Sequence, residues 1–460
     1  MNVPVMGHVG NTRTLYDRFL QVVGGLSRRA CLPVPGDGRM TRATISVLVL
    51  VTASLASCGP SSGEEAQVAV TDSAGVRVVT TIQPEWTDPL PLALPEPVVS
   101  VPAEGASSPL SRVLAAEVLA DGRIAVLDGL LEQVVVYDRE GQEVGLVGRP
   151  GQGPGEFVQA ATLLEGSDGS LQVYDLRQRR LSTFHHDGVL SGVQTLQAEG
   201  EGYPARAWQL SDQDLIVWLT YRDLSTAVRR GATAGLEETP GALVRLVDAE
   251  VSDTLLTGVQ SLSIREGEGP SLRLWAVPFG SVSAFAVDPA DSRIVFTSGA
   301  RHSIHVLEVQ AGNSSREILR HPTADRPISS EELEARRDHA RQTMAEEGAT
   351  PPTALDFLYD PELQPAVRPA FGKVLWGPDG SIWAQRFEPI GVEPRLWWVI
   401  SAEGAFRGLV EMPERTDILS FEDGHMLLLE LDEFDVPTVH LVPFSGLDNR
   451  QVTGSAEPVI

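Results

Sequence analysis

One short pattern recurs along the chain, and it limits what the chain can fold into more than any other feature. A turn containing aspartate is followed by a short apolar strand. The six copies are DGRIAVLD (121–128), DGSLQVYD (168–175), DQDLIVWL (212–219), DSRIVFTS (291–298), DGSIWAQR (379–386) and DGHMLLLE (423–430). Successive copies start 47, 44, 79, 88 and 44 residues apart. The base period of about 45 residues is close to the length of a four-stranded propeller blade.

The same neighbours surround each copy. Another apolar strand precedes it, as in AAEVLA (115–120) and KVLWGP (373–378), and the connecting turns favour tight hairpins. A third strand, a turn and a fourth strand follow, as in QVVVYDREGQEVGLVG (133–148). Because such units are apolar on both faces, each sheet has to stack between two others. The pattern predicts an all-β, six-bladed β-propeller of four-stranded antiparallel blades.

The ring must also close. The last unit lacks one strand after TVHLVPF (438–444). We predict that an N-terminal strand, AGVRVVTTI (74–82), completes this blade, because an unpaired edge favours aggregation. A seventh, degenerate blade within residues 259–285 is the alternative to a six-bladed ring.

Two insertions explain the long spacings. Residues 220–241 are predicted to form a polar loop. Residues 329–348 are predicted to form one inserted helix over a face of the ring, because Ser329 and Glu332 make a capping box at its start and Gly348 can end it.

The region before the repeats has the architecture of an export signal. The stretch MTRATISVLVLVTASLASC (40–58) has a basic start, an apolar run and small residues before a cysteine. The apolar run is shorter than the roughly 20 residues that a bilayer-spanning helix needs. We interpret residues 40–57 as a signal peptide. Residues 1–39 are then either a gene-model extension upstream of a start at Met40, or an atypical leader in which SRRACL (27–32) is similar to a twin-arginine motif.

The end of this signal, Leu55-Ala56-Ser57-Cys58, resembles the lipobox of bacterial lipoproteins. The resemblance implies that Cys58 is diacylated, becomes the first mature residue and anchors the chain in the cell envelope. Gly59, where some sorting signals have aspartate, favours the outer membrane over the inner membrane. We expect the remaining chain to comprise a flexible tether, the propeller and a C-terminal tail, at residues 58–73, 74–446 and 447–460.

The charge of the chain restricts its partners. It has 62 acidic and 36 basic residues, for a formal net charge of −26. Such a surface repels nucleic-acid phosphates and anionic lipid headgroups. We therefore expect no nucleic-acid partner, and contact with a membrane through the lipid anchor alone. We expect the protein to be a monomer.

A known family carries similar stretches. The unit DGRIAVLDGLLEQVVVYDREGQEV (121–144), the loop GRPGQGPGEF (148–157) and PAFGKVLWGPDGSIWAQ (369–385) resemble six-bladed β-propeller lipoproteins of the NHL-like repeat group from GC-rich diderm bacteria. The resemblance covers about residues 66–446, and its most specific element is Gly153-Pro154-Gly155-Glu156-Phe157. It implies a fold and a location but no reaction. Related domains mainly bind proteins or ligands, and a minority are lyases or esterases.

The glycine-rich loop is not predicted to bind a nucleotide. A P-loop requires Gly-Lys-Ser/Thr at the start of a helix, whereas Glu156 and Phe157 stand where the lysine is needed. The residues that follow predict a strand. We interpret the loop as the connection between the outer strand of one blade and the inner strand of the next, with Phe157 packed between blades.

Three bases are the best candidates for a ligand site in this acidic chain. Arg112, Arg206 and Lys373 each stand at the start of a predicted innermost strand. Together they could form a cationic ring at one mouth of the central channel and bind a small anionic molecule. The alternative is that they make internal salt bridges with neighbours such as Glu117.

The function expected from the sequence is therefore binding. We predict a lipid-anchored, extracytoplasmic propeller that acts as a ligand-binding or scaffold module, with an envelope protein or a small anionic or carbohydrate ligand as its partner. No catalytic residue, cofactor or metal site is predicted. The alternative is a propeller hydrolase or lyase with Ca²⁺ or Zn²⁺ in the axial channel, for which Glu117 is the one nominated carboxylate.

Overall fold

The computed structural model consists of sheets arranged around a central axis. It describes residues 65–104, 109–166, 169–196, 202–210, 214–221, 234–247, 250–266, 273–288, 290–310, 313–346, 354–389, 394–422 and 424–447. The predicted signal peptide, Cys58 and most of the C-terminal tail lie outside these residues. No helix in the described residues is long and apolar enough to cross a membrane.

The described residues form twenty-eight strands. Four precede the repeats: β1 (Gln67–Ser73), β2 (Val76–Gln83), β3 (Leu90–Pro91) and β4 (Val99–Val101). Blade 1 contains β5 (Val113–Val118), β6 (Ile124–Asp128), β7 (Gln133–Tyr137) and β8 (Glu143–Val147). Blade 2 contains β9 (Ala160–Glu165), β10 (Leu171–Asp175), β11 (Arg180–Phe184) and β12 (Leu190–Thr195). Blade 3 contains β13 (Gly202–Gln209), β14 (Asp214–Tyr221), β15 (Ala234–Val247), β16 (Glu250–Glu266) and β17 (Arg273–Ala276).

The second half of the ring follows the same plan. Blade 4 contains β18 (Ala284–Asp288), β19 (Arg293–Thr297), β20 (Ser303–Gln310) and β21 (Asn313–Arg320). Blade 5 contains β22 (Phe371–Trp376), β23 (Ile382–Arg386), β24 (Leu396–Ile400) and β25 (Phe406–Glu411). Blade 6 contains β26 (Thr416–Glu422), β27 (His425–Leu431) and β28 (Pro437–Pro443). The first strand named in each blade is the innermost one.

The six copies of the sequence pattern form the second strands of the six blades, which confirms the predicted six-bladed, mostly four-stranded antiparallel architecture. The expected apolar faces are buried between blades. Leu127, Phe157 and Val173, for example, fill the space between blades 1 and 2 and are fully buried. The described part of 259–285 forms no seventh blade, because β16 and β17 extend the sheet of blade 3 and β18 begins blade 4.

The prediction that residues 74–82 close the ring is wrong. β2 pairs in parallel with β21 on the outer edge of blade 4, and β1 adds a further strand outside it. Val79 is buried in the apolar cluster between blades 4 and 5, and Arg77 forms an ion pair with Glu317. The segment does not reach blade 6, because it pairs with the free edge of β21 and its Val79 is buried in this apolar cluster.

The strand that does close the ring lies further along the chain. β3 pairs with β25 of blade 5, and β4 then pairs antiparallel with β28 as the fourth strand of blade 6. Residues 76–101, which we call the N-terminal belt, therefore cover the outer edges of blades 4, 5 and 6 in turn. An N-terminal strand closes the ring, as predicted, although it is a different segment.

The inserted helix is confirmed. Helix α1 (Ser330–Glu346) begins where the Ser329 hydroxyl accepts the Glu332 N–H at 3.1 Å, and the single turn α2 (Ala354–Leu358) follows. The predicted polar loop at 220–241 is wrong at both of its ends, since residues 220 and 221 belong to β14, and residues 222–233 lie outside the described residues. Residues 234–241 belong to β15, where they pair with β16. The sheet also starts earlier than expected, since β1 lies within the segment interpreted as a tether.

Closure by the belt gives a testable difference between two valines. Val101 is fully buried between blades 6 and 1, whereas Val98 is 59% exposed. We expect Val101→Ala to lower the free energy of unfolding by about 2 kcal/mol, because it leaves a cavity at the closing strand. Val98→Ala should change it by less than about 0.5 kcal/mol. Urea unfolding followed by tryptophan fluorescence measures both, and equal effects would contradict the role of β4.

Candidate functional site

The innermost strands share an irregularity that sets the geometry of the channel. In five of the six blades, one residue of the innermost strand bulges out of the ladder with the second strand. The bulged residues are Leu114, Ala161, Ala205, Gly372 and Leu419. The residues that follow them, and so occupy equivalent positions, are Ala115, Thr162, Arg206, Lys373 and Ser420. The bulges thus place two of the predicted bases, Arg206 and Lys373, at one level of the ring.

Arg206 and Lys373 lie at the same level of the channel, in blades 3 and 5. Arg206 is exposed although it lies on an innermost strand, so water reaches its guanidinium through the channel. The surrounding protein atoms still desolvate this guanidinium and lower its pKa. Burial lowers the pKa of Lys373 too, and the charge of Arg206 lowers it further. Because blade 4 separates blades 3 and 5, the two cations approach each other through the channel.

The two bases differ in their partners. Nζ of Lys373 donates to the Ile418 carbonyl, lies 3.8 Å from Oδ2 of Asp417 and lies 5.9 Å from the ring centre of Trp397. Lys373 is therefore held at the junction with blade 6 by the kind of internal ion pair that the sequence left as an alternative. The Arg206 guanidinium has no hydrogen bond or ion pair within the described residues.

Arg112 stands apart from this pair. It lies three residues before Ala115, and its Nη2 donates to the Gly129 carbonyl at 2.6 Å within its own blade. The structure therefore brings together two of the three predicted bases. The sequence could not show that Arg112 lies at a different level of the channel, because all three bases stand near the start of an innermost strand. Only the position of the bulge defines the level of each base.

Glu117 lies deeper in the channel, next to an acid that the sequence did not single out. It follows Ala115 by two residues, and Glu422 follows Ser420 by two residues, so the carboxylates occupy equivalent positions in blades 1 and 6. Two residues along a strand correspond to about 6–7 Å. The channel thus has a cationic level and, beyond it, an acidic level.

Burial raises the pKa of both carboxyls of the acidic level. Burial raises the pKa of Glu117 well above its ordinary value, and the charge of Glu422, a hydrogen bond with it and the charge of Glu165 raise the pKa further. Glu422 also accepts the Val118 N–H at 2.9 Å. The hydrogen bond between the two carboxyls raises the pKa of Glu117 and opposes the rise in the pKa of Glu422, an arrangement in which two carboxyls can share one proton.

No metal site is evident in the part of the chain that the structure describes. There, no group of three or more histidine, cysteine, aspartate or glutamate side chains is arranged to hold a metal ion. Three of the tryptophans have structural positions. Trp218, Trp383 and Trp397 are fully buried between blades.

The glycine-rich loop folds around its own carboxylate. The Gly153 N–H donates to Oε2 of Glu156 at 2.7 Å, and the Arg149 guanidinium donates to Oε1 at 2.7 Å. These donors hold the pKa of Glu156 below its ordinary value. Phe157 is buried between blades 1 and 2 against Gly148, where an added Cβ would lie 2.0 Å from the ring. The hydrogen-bond donors of the loop thus bind the loop's own Glu156, and Phe157 packs between the blades.

Comparisons with known proteins agree with this architecture. A family model described as a six-bladed β-propeller, DUF5128, matches residues 110–232, which contain blades 1 and 2 and the start of blade 3. No curated protein matches the sequence. The class of the protein is therefore that of the six-bladed β-propellers.

Several solved structures are similar to this chain at low sequence identity. A protein described as exported from Bacteroides fragilis is 11% identical, with 76% of this chain and 94% of that chain covered and a TM-score of 0.44. A DUF4221 family member from Bacteroides vulgatus is 10% identical, with 78% and 98% covered and a TM-score of 0.44. Virginiamycin B lyase from Staphylococcus aureus is 10% identical, with 75% and 98% covered and a TM-score of 0.38.

The raised pKa of Glu117 predicts how stability depends on pH. A carboxyl whose pKa is raised by folding destabilises the folded state as pH rises above the ordinary glutamate range, because the folded protein must then lose a proton that it holds tightly. Glu117→Gln keeps a neutral donor at this position. It should raise the thermal unfolding midpoint at pH 8 by at least about 2 °C and change it little at pH 4.

The matched control is Glu143→Gln, at an exposed carboxylate of the same blade. It should leave the difference between the thermal unfolding midpoints at pH 8 and pH 4 the same as in the unmodified protein. An equal or lower midpoint for Glu117→Gln at pH 8 would contradict the shared proton. Differential scanning calorimetry at both pH values measures the effect.

Proposed function

We propose that the protein is a lipid-anchored, extracytoplasmic binding module that holds a small anionic ligand in its central channel. The observation that carries the proposal is the Arg206 guanidinium, which is exposed to the channel and has no partner within the described residues. A guanidinium with free donors forms strong, often bidentate hydrogen bonds with carboxylates.

The surroundings of Arg206 support an anion at this level. Lys373 contributes a second positive charge at the same level, and an anion between the two cations would relieve their mutual repulsion. In the neighbouring blade 2, Thr162 occupies the equivalent position, and its hydroxyl is buried without a hydrogen-bond partner among the residues described. A ligand at this level would meet two cations and one hydroxyl.

The location rests on the sequence. The signal-like residues 40–57 and the lipobox-like residues before Cys58 support export and lipid anchoring. The resemblance to propeller lipoproteins of the NHL-like group supports the same location. The hydrolase or lyase with a channel metal remains the alternative hypothesis.

Binding in the channel can be tested with citrate, a small tricarboxylate. We expect citrate to raise the thermal unfolding midpoint of the purified full chain and to give saturable heats in isothermal titration calorimetry. Arg206→Gln should weaken citrate binding at least tenfold, which corresponds to about 1.4 kcal/mol. Arg177→Gln, at an exposed arginine in a turn of blade 2, is the matched control and should bind citrate normally. Equal binding by both variants would rule out the channel site.

Lipid anchoring can be tested at Cys58. Cells fed an alkyne-labelled fatty acid should incorporate the label into the full chain, and the protein should fractionate with membranes. Cys58→Ser should abolish the label and release the protein from the membrane fraction. Cys31→Ser should behave like the unmodified chain, because Cys31 precedes the predicted cleavage point. Labelling that persists in Cys58→Ser would place the lipid elsewhere.

A further inference from the structure

A second cationic site lies outside the channel. A cleft of about 440 Å³ opens where the segment between blades 4 and 5, which contains α1, meets blade 5. This volume is in the range of small-molecule sites. The residues that line the cleft are Asp325, Arg326, Pro327, Arg368, Arg386, Glu388, Pro394 and Leu396.

Three arginines of this cleft converge on one buried carboxylate. Glu388 accepts from Nη1 of Arg326 at 2.6 Å, from Nε of Arg386 at 2.9 Å and from Nη1 of Arg368 at 3.3 Å. The side chain of Glu388 is only 8% exposed. One negative charge is therefore shared by three positive charges in partly buried surroundings.

Two of the arginines make further structural hydrogen bonds. Arg326 also donates to the carbonyls of Pro369 and Phe387, at 3.0 and 2.8 Å. Arg368 donates to Oε2 of Glu332 on α1 at 2.6 Å. These contacts fasten the inserted segment to blade 5.

Arg386 is different. Only its Nε is bonded, while Nη1 and Nη2 have no partner within the described residues, and its side chain is 29% exposed at the cleft. Nε of Arg368 is also buried without a partner among these residues. The cleft thus offers the two Nη groups of Arg386, which lie in one plane. Beside them is the Nε of Arg368, which no described group satisfies.

The open donors of Arg386 favour an anion. Three guanidiniums and two carboxylates, those of Asp325 and Glu388, line the cleft, and Glu332 of α1 pairs with Arg368. Burial lowers the pKa of Arg326, and the charges of Arg386 and Arg368 lower it further, although Glu388 opposes the shift. A bound monoanion would accept hydrogen bonds from the two Nη groups of Arg386, which shares Glu388 with two other arginines.

The shape and the remaining lining define the anion. Two Nη groups in one plane match the two oxygens of a carboxylate. A doubly charged phosphate would be repelled by Asp325 and Glu388, which line the same cleft. Pro327, Pro394 and Leu396 add apolar surface beside the arginines. We propose that this cleft binds a small organic monocarboxylate with an apolar body, paired through Arg386 and independent of the channel site.

Benzoate is the probe that fits this description, and benzamide is its neutral counterpart of the same shape. We expect saturable benzoate binding to the purified full chain in isothermal titration calorimetry, with no binding of benzamide and none of inorganic phosphate at the same concentration. Arg386→Gln should weaken benzoate binding at least tenfold. Arg386→Lys should also weaken it, because lysine keeps a charge near Glu388 but lacks the planar pair of donors.

The control variant is Arg301→Gln, at an exposed arginine of blade 4, which should bind benzoate normally. Arg206→Gln should also keep benzoate binding, which separates this site from the channel. A test that needs no variant is protection of Arg386 by benzoate from modification by phenylglyoxal, followed by peptide mass spectrometry. Unchanged modification, equal binding of benzamide, preferred binding of phosphate or full affinity in Arg386→Lys would each overturn the proposal.

Discussion

Closure of the ring depends on backbone hydrogen bonds between the N-terminal belt and the outer strands of blades 4 to 6. β4 supplies the fourth strand of blade 6, and the Val98 N–H donates to the Leu441 carbonyl at 2.8 Å just before it. The turn of blade 1 then holds the belt from the other side, since the Ala103 N–H donates to the Gly141 carbonyl at 2.9 Å. Gly141 has a φ of +78°, and a Cβ there would lie 2.3 Å from the Ser100 carbonyl oxygen. The glycine at position 141 therefore allows the turn of blade 1 to approach β4 closely.

That junction also creates the acidic level of the channel. Glu117 belongs to the first blade and Glu422 to the last, so the two carboxyls come together only when the ring closes. The shared proton makes the junction sensitive to pH, while the Val118 N–H that donates to Glu422 ties the two innermost strands together. The cationic level is made by blades 3 and 5, and β26 of blade 6, the strand that carries Glu422, also holds Lys373. The two levels thus share one strand as well as one channel.

The sequence predicted the parts of this structure that repeat. Periodic apolar strands identify the six second strands, and a local capping signal identifies α1, because both depend on residues close together in the chain. The closing strand could not be predicted in the same way, since pairing at a sheet edge uses backbone groups that every residue carries. Glu422 was not predicted as a channel residue, because it stands one residue before the turn of its hairpin, whereas Glu117 stands four residues before the turn of its own. Arg386 and Glu388 form a site only together with Arg326 and Arg368, which the inserted segment brings to them.

The two cationic sites have to work within a strongly acidic protein. At physiological ionic strength the screening length is about 8 Å, so the net charge of −26 acts weakly on an anion that is already inside the channel or the cleft. Recognition then depends on the groups in direct contact with it. In the channel these are an unpaired guanidinium and a lysine whose own ion pair fixes its position, and in the cleft they are two free Nη groups beside a buried carboxylate. In each place the structure immobilises part of the charge with internal partners and leaves one guanidinium open, so an anion can bind without breaking the contacts that hold the blades together.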